Sequence, residues 1–310
     1  MSPMPLQDRY HGALLGLACG DAVGTTVEFK PRGSFPPVTD MQGGGPFALA
    51  AGQWTDDTSM ALCLAESLHL QQDCDPADQM QRYVRWFQEG YWSATGSCFD
   101  IGIATRNALT RYLKSGDPLA GSELPNTAGN GSIMRLAPVA MVWRRAPATL
   151  LEKAELSSRT THGARSCLDA CRVLGVALAR ALDGADREQI LDLGQVPVHS
   201  EEIRAVAAGS YRHKDAEQIK GSGYVVESLE AALWCFSQAE DFADAVLTAV
   251  NLGDDADTTG AIVGQLAGAH FGAAGIPSHW LERLHRADDI RHLASCLLEA
   301  SLNQEPAALP

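Results

Sequence analysis

Residues 53–67, QWTDDTSMALCLAES, put two adjacent carboxylates, Asp56 and Asp57, between Thr55 and Thr58 at the head of an apolar, helically spaced run. About two hundred residues later the same grammar returns in residues 252–268, LGDDADTTGAIVGQLAG, where Asp254, Asp255, Asp257 and Thr258 precede a run of small and apolar residues. A single Asp or Thr at such a place is an ordinary helix cap, suited to the first turn's dipole. A cap uses one side chain, and each cluster holds more than that. Two carboxylates about 4 Å apart repel by roughly 4 kcal/mol at an effective dielectric near 20, so clusters that converge need a counter-charge. With carboxylate and hydroxyl oxygens and neither His nor Cys inside either cluster, that counter-charge is expected to be a hard cation, Mg²⁺, Mn²⁺ or Ca²⁺ rather than Zn²⁺ or Cu²⁺. Two clusters can hold two such ions, which together bind substrate oxygens and activate a water.

The remaining composition narrows the partners. With 24 Lys and Arg against 38 Asp and Glu the 310-residue chain carries a net charge of −14 and no basic run, which argues against nucleic acid and anionic membrane. Its eight cysteines are scattered among apolar neighbours without a CxxC pair, and read as reduced core residues of a cytoplasmic protein. Residues 13–19, ALLGLAC, imitate a signal core ahead of a lipoprotein cysteine. The run is too short, however, Asp8 balances Arg9, and Asp21 follows almost at once. No segment approaches the roughly 20 apolar residues of a membrane span.

Taken in order, residues 9–24 form a Gly- and Ala-rich helix suited to close burial. A Gly/Pro-rich loop over 31–52 is long enough to suggest binding or gating. Helices are expected over 75–90, between Pro76 and Gly90, and over 95–116, with Asp100 at its mouth and Ile101, Ile103, Leu109 and Leu113 on its apolar side. Gly129, Asn130, Gly131 and Ser132 open another apolar helix, either as an ordinary turn or as backbone N–H donors to a phosphate. Leu168, Cys171, Leu174, Leu178 and Leu182 make a core stripe on a helix over 164–182. Short helices suit 183–220; the second acidic segment is expected to run as a helix to about 271, and two more suit stretches within 278–302. No strand alternation of useful length and no fixed-period repeat appear. The chain reads as all-α, a single compact multi-helix domain over 1–302 with a disordered tail over 303–310.

TDDT at 55–58 and GDDADTTGAI at 253–262 resemble the paired metal motifs of the ADP-ribosylglycohydrolase family, which includes the dinitrogenase reductase-activating glycohydrolases. The resemblance runs from GALLGLACGDAVG to GQLAGAHFG with the motifs in family order. It implies two Mg²⁺ or Mn²⁺ ions on Thr55, Asp56, Asp57, Asp255, Asp257 and Thr258. Glu28, which as a lone loop acid would be a solvated side chain, matches the family's mobile glutamate, and Asp100 becomes a candidate catalytic acid or base. The loop Gly129, Asn130, Gly131 and Ser132, with Met134 beyond it, matches the diphosphate and ribose loop. His162 matches a substrate-contacting TH pair, and Tyr224 a residue at the nucleotide end. Two positions vary from a common family pattern, which often has Gly at Asp254 and Thr at Ala256; Asp254 then suits a helix cap or an outer-sphere place.

The activity so implied is metal-dependent hydrolysis of the bond between ADP-ribose and a modified protein side chain, most often arginine. The partners are an ADP-ribosylated protein and ADP-ribose as product. Three other readings stay open: hydrolysis of serine-linked or small-molecule conjugates, a crystallin-like structural protein, and an ADP-ribose-binding module without hydrolysis.

Overall fold

The computed structural model describes residues 4–304. It holds fourteen α-helices and, among the described residues, no strand, only three isolated bridges, so the all-α reading holds. In order they are α1 (Leu6–Gly24), α2 (Asp56–Gln71), α3 (Pro76–Glu89), α4 (Ile103–Ser115), α5 (Ala137–Trp143), α6 (Pro147–Arg159) and α7 (Arg165–Leu182). There follow α8 (Arg187–Ile190), α9 (Glu201–Ala207), α10 (Val225–Gln238), α11 (Phe242–Val250), α12 (Ala256–Phe271), α13 (Ser278–Arg283) and α14 (Ala287–Leu302). Asn303 and Gln304 turn out of α14, and the rest of the expected tail lies outside the described residues. No helix among the described residues is long and apolar enough to cross a membrane.

The glycines of α1 and α12 explain how the two ends of the chain meet. Gly12, Gly16, Gly20 and Gly24 recur every fourth residue on one face of α1, and Gly260, Gly264 and Gly268 do so on α12. The two rows pair in opposite order. A Cβ on Gly20 would sit 2.0 Å from the Gly260 carbonyl oxygen, and one on Gly264 would sit 2.2 Å from that of Gly16. Only hydrogen fits in either row, so the helices lie antiparallel with backbone against backbone and both are buried. On this pair pack α2, α5 and α14 from the α1 side and α10 and α11 from the α12 side. The end of α1 is thereby brought beside the start of α12.

Local expectations held where punctuation was clear. Asp75 caps α3 by accepting from the Ala77 N–H at 2.8 Å, Pro76 opens the helix and Gly90 closes it in the left-handed region. The α7 stripe is core throughout. The helix expected over 95–116 begins only at Ile103, because the apolar spacing of Ile101 and Ile103 was read through Gly96 and Gly102. Leu109 is buried there, but Ile103 and Leu113 are 81% and 49% exposed. α10 starts at Val225, with Tyr224 extended at its N-cap position.

Candidate functional site

Both acidic clusters stand at helix starts, yet neither caps its own helix. Thr55 is the N-cap residue of α2 and Asp255 that of α12, and neither side chain accepts from the helix it opens. The cap of α2 comes from α1 instead. Asp21, wholly buried, accepts from the Thr55 N–H at 2.9 Å, the Thr58 N–H at 3.0 Å and the Thr58 hydroxyl at 2.6 Å. This satisfies N–H groups that a helix start leaves orphaned and frees the cluster's own oxygens. The sequence reading missed Asp21, using it only as a charge against a signal peptide; its one signal was a lone carboxylate inside an otherwise apolar glycine helix.

The clusters converge. One oxygen each of Asp21, Asp57 and Asp257 lie within 4.8 Å of one another, as do one each of Glu28, Asp100 and Asp257. The Thr55 hydroxyl lies 2.9 Å from Asp21 Oδ1 and 3.2 Å from both Asp57 Oδ2 and Asp257 Oδ2, joining the two halves of the chain. The Thr258 hydroxyl donates to Asp57 Oδ2 at 3.3 Å, and Asp255 Oδ2 accepts from Asn130 Nδ2 at 2.8 Å. Burial raises every carboxyl of the group and neighbouring charge adds to it for most. Asp21 is pushed up to about 6, Asp100 to about 7 with help from Asp21 and Asp255, and Glu28 to about 10 with help from Asp100 and Asp255. Asp56, Asp57 and Asp257 also rise well above the usual carboxylate range, from burial first and neighbouring acids second.

Asp57 Oδ1, Asp257 Oδ1 and Glu28 Oε2 are buried without a hydrogen-bond partner among the described residues. Buried carboxylate oxygens ordinarily have one. Seven crowded acids, three orphaned oxygens and threonine hydroxyls form an oxygen-only donor set that fits hard divalent cations.

The cluster floors a cleft of about 760 Å³ with no Lys or Arg among its lining residues. Glu28, Asp56, Asp100, Gly129, Asn130, Gly131, Met134, His162, Asp255, Asp257 and Thr258 line it, whereas Thr55 and Asp57 lie fully buried beneath. Ser132 is buried, its oxygen 3.4 Å from Cys171 Sγ, and lies off the lining. Tyr224 also lies off it: its hydroxyl donates to Glu202 at 2.7 Å, and Ser222 and Gly223 face the cleft instead.

Three non-glycine residues around the mouth, Phe29, Asp100 and Asp254, hold left-handed φ values of 62°, 57° and 56°. Asp100 is therefore no helix cap, and Gly102 occupies that place in α4. Asp254 does not cap α12 either. Its backbone ties the Glu28 loop down, the Phe29 N–H donating to its carbonyl at 2.7 Å and its own N–H donating to the Lys30 carbonyl at 2.8 Å. Its left-handed backbone suits the glycine noted above. Asp254→Gly is expected to unfold in denaturant within about 0.5 kcal/mol of the parent, and β-branched Asp254→Val about 1–2 kcal/mol below it.

The glycine loop has a packing reason as well as a chemical one. A Cβ on Gly131 would meet the His162 ring at 2.6 Å from Cε1. Gly131→Ala should cost about 1–3 kcal/mol in equilibrium unfolding, the usual price of overpacking. Behind the loop lies Arg135, wholly buried, its guanidinium 4.8 Å from the Tyr83 ring centre and donating to the Gly131 carbonyl. The sequence reading met Arg135 only as the neighbour of Met134 after the glycine loop and gave it no role, because a buried arginine has no periodic signature.

The sequence model of one family, ADP-ribosylglycohydrolase, matches residues 2–307. The chain is 47% identical over 299 residues to "ADP-ribosylarginine hydrolase Tri1" of Pseudomonas putida (strain GB-1), covering 96% of this chain and 80% of that protein. It is 34% identical to "ADP-ribosyl-[dinitrogen reductase] glycohydrolase" of Rhodospirillum rubrum, with 92% of each chain covered. A solved structure titled "ADP-ribosylglycohydrolase-related protein complex" superposes with a TM-score of 0.85 at 47% identity, over 96% of this chain and 99% of that one.

Proposed function

The chain belongs to the ADP-ribosylglycohydrolase family and is a hydrolase of ADP-ribose conjugates, and we propose that its bond is the N-glycosidic link between ADP-ribose and an arginine side chain of a modified protein. The observation that carries this is the meeting of Asp57 and Asp257, with orphaned oxygens, under an acidic cleft that lacks any lining cation. Such a cleft tolerates a guanidinium leaving group, and the name borne by the Pseudomonas relative supports arginine over serine.

Thr55, Asp56, Asp57, Asp255, Asp257 and Thr258 would hold two Mg²⁺ or Mn²⁺ ions, with Asp21 orienting Thr55 and Thr58 from behind. Bound there, the ions would supply Lewis-acid attraction for ribose hydroxyls and a water of lowered pKa. The Glu28 and Asp100 carboxyls, with an oxygen of each within 4.8 Å of the other, take a proton from the water that attacks the anomeric carbon and deliver one to the departing guanidine nitrogen as its bond to that carbon breaks. Of the glycine loop, Gly131 offers its backbone N–H to the diphosphate, the Gly129 and Asn130 N–H groups being spent on the Thr127 and Gly223 carbonyls, and Met134 and His162 hold the ribose side. The eight free cysteines support a cytoplasmic setting.

The test is release of ADP-ribose from an arginine-ADP-ribosylated protein with Mg²⁺, with Mn²⁺ and with EDTA, beside a serine-linked substrate. Metal-dependent release from arginine alone is expected. Release from serine alone would overturn the linkage, and full release in EDTA would overturn the metal site.

A further inference from the structure

Two buried groups behind the cleft have no part in the reaction as described. Arg135 Nη2 donates to Thr161 Oγ1 at 2.7 Å, and Thr161 Oγ1 lies 2.8 Å from His162 Nδ1. Arg135 and Thr161 are 0% and 1% exposed. We infer that Arg135 and Thr161 act as positioning residues that fix His162 in a single neutral tautomer, protonated on Nε2, so that it presents a hydrogen-bond donor to an oxygen of the bound ADP-ribosyl group. The nature of that ligand rests on the reading above; the tautomer does not.

The direction of the relay follows from counting hydrogens. A guanidinium only donates, so one Thr161 lone pair is taken. The hydroxyl has one proton of its own, and His162 Nδ1 is its other partner among the described residues. If Nδ1 carried the ring proton, it would donate to Thr161. The Thr161 proton would then have no acceptor, which leaves a buried O–H unsatisfied beside a positive charge. If Thr161 donates to an unprotonated Nδ1, the hydroxyl proton and the ring nitrogen satisfy each other. The ring proton then sits on Nε2. That nitrogen has no hydrogen bond among the described residues, and it lies 3.0 and 3.4 Å from where Cβ atoms on Gly131 and Gly129 would stand. Gly129, Gly131 and His162 all line the cleft. Burial and then the Arg135 charge also press the imidazole pKa down to about 3, so the ring stays neutral. An Nε2–H beside the Gly131 backbone adds a donor to a cleft whose charged side chains are all carboxylates.

The experiment is a long-range ¹H–¹⁵N spectrum of the full chain labelled in histidine, with the His162 signals identified by their loss in His162→Gln. The parent is expected to show protonated Nε2 and unprotonated Nδ1 at neutral pH. Thr161→Val should mix the tautomers and weaken ADP-ribose binding about five- to tenfold by calorimetry, the effect of misplacing one hydrogen bond. Thr161→Ser should restore both. A purely structural threonine would give lowered stability in Thr161→Val with the tautomer unchanged, and that result overturns the inference, as does a protonated Nδ1 in the parent. If Thr161→Val fails to fold, the parent and Thr161→Ser spectra still decide. A parent with the stated tautomer that binds no ADP-ribose would remove the donor's partner and count against the functional reading, while the tautomer assignment stands.

Discussion

Asp257→Asn is expected to lower ADP-ribose release in Mg²⁺ by about a thousandfold or more, roughly 4 kcal/mol of transition-state stabilisation. Asp257 is shared by both carboxylate groups, the one with Asp21 and Asp57 and the one with Glu28 and Asp100, so its loss touches the metal seat and the proton-handling pair together. The same substitution should make the metal-free protein more stable, by about 1 kcal/mol, because a neutral amide ends one set of like-charge contacts. Saturating Mg²⁺ should stabilise the parent by about 2.7 kcal/mol at a hundredfold excess over its Kd, and should do little for the variant. Thermal melts with Mg²⁺ and with EDTA read both signs. Retained activity with a retained Mg²⁺ shift would remove Asp257 from the site.

Gly20→Ala is expected to destabilise the fold by at least about 3 kcal/mol, although alanine gains about 1 kcal/mol of helix propensity over glycine. The added carbon would overlap the Gly260 carbonyl at 2.0 Å, and backbone cannot turn aside as a flexible side chain does. Gly175 in α7 provides the contrast. A Cβ there would meet Leu150 Cδ1 at 3.6 Å, an ordinary contact, so Gly175→Ala should stabilise by about 0.5–1 kcal/mol. Equilibrium denaturation of the two variants checks the pair. Equal effects would refute the close packing of α1 on α12.

The helical class and the acidic clusters were legible because each leaves a local mark: spacing in one case, two acids and a hydroxyl at a helix start in the other. What joined them was legible only in part. The glycines of residues 9–24 announced a close approach, but not that the partner row was Gly260, Gly264 and Gly268. Asp21 caps a helix 34 residues away, and no pattern within its own helix points there. Arg135 and Thr161 matter through a three-residue chain of hydrogen bonds from two loops, which leaves no periodicity at all. Asp100 was set at the mouth of a helix read through glycines, and it sits instead in a left-handed turn at the cleft. Tyr224 came from the resemblance alone, and its hydroxyl turns to Glu202 off the cleft lining.

The antiparallel glycine seam also sets an order in time. In a chain emerging from the ribosome the α1 row appears more than two hundred residues before its match at Gly260, Gly264 and Gly268. Until α12 appears, Gly12 to Gly24 lack the surface that fits them, and Asp21 and Asp57 lack Asp257. Folding from the N-terminus as synthesis proceeds therefore cannot finish the hydrolytic centre early. A polypeptide cut short before α12 would carry Asp21, Asp56 and Asp57 without Asp255 and Asp257, so competence waits on that one helix.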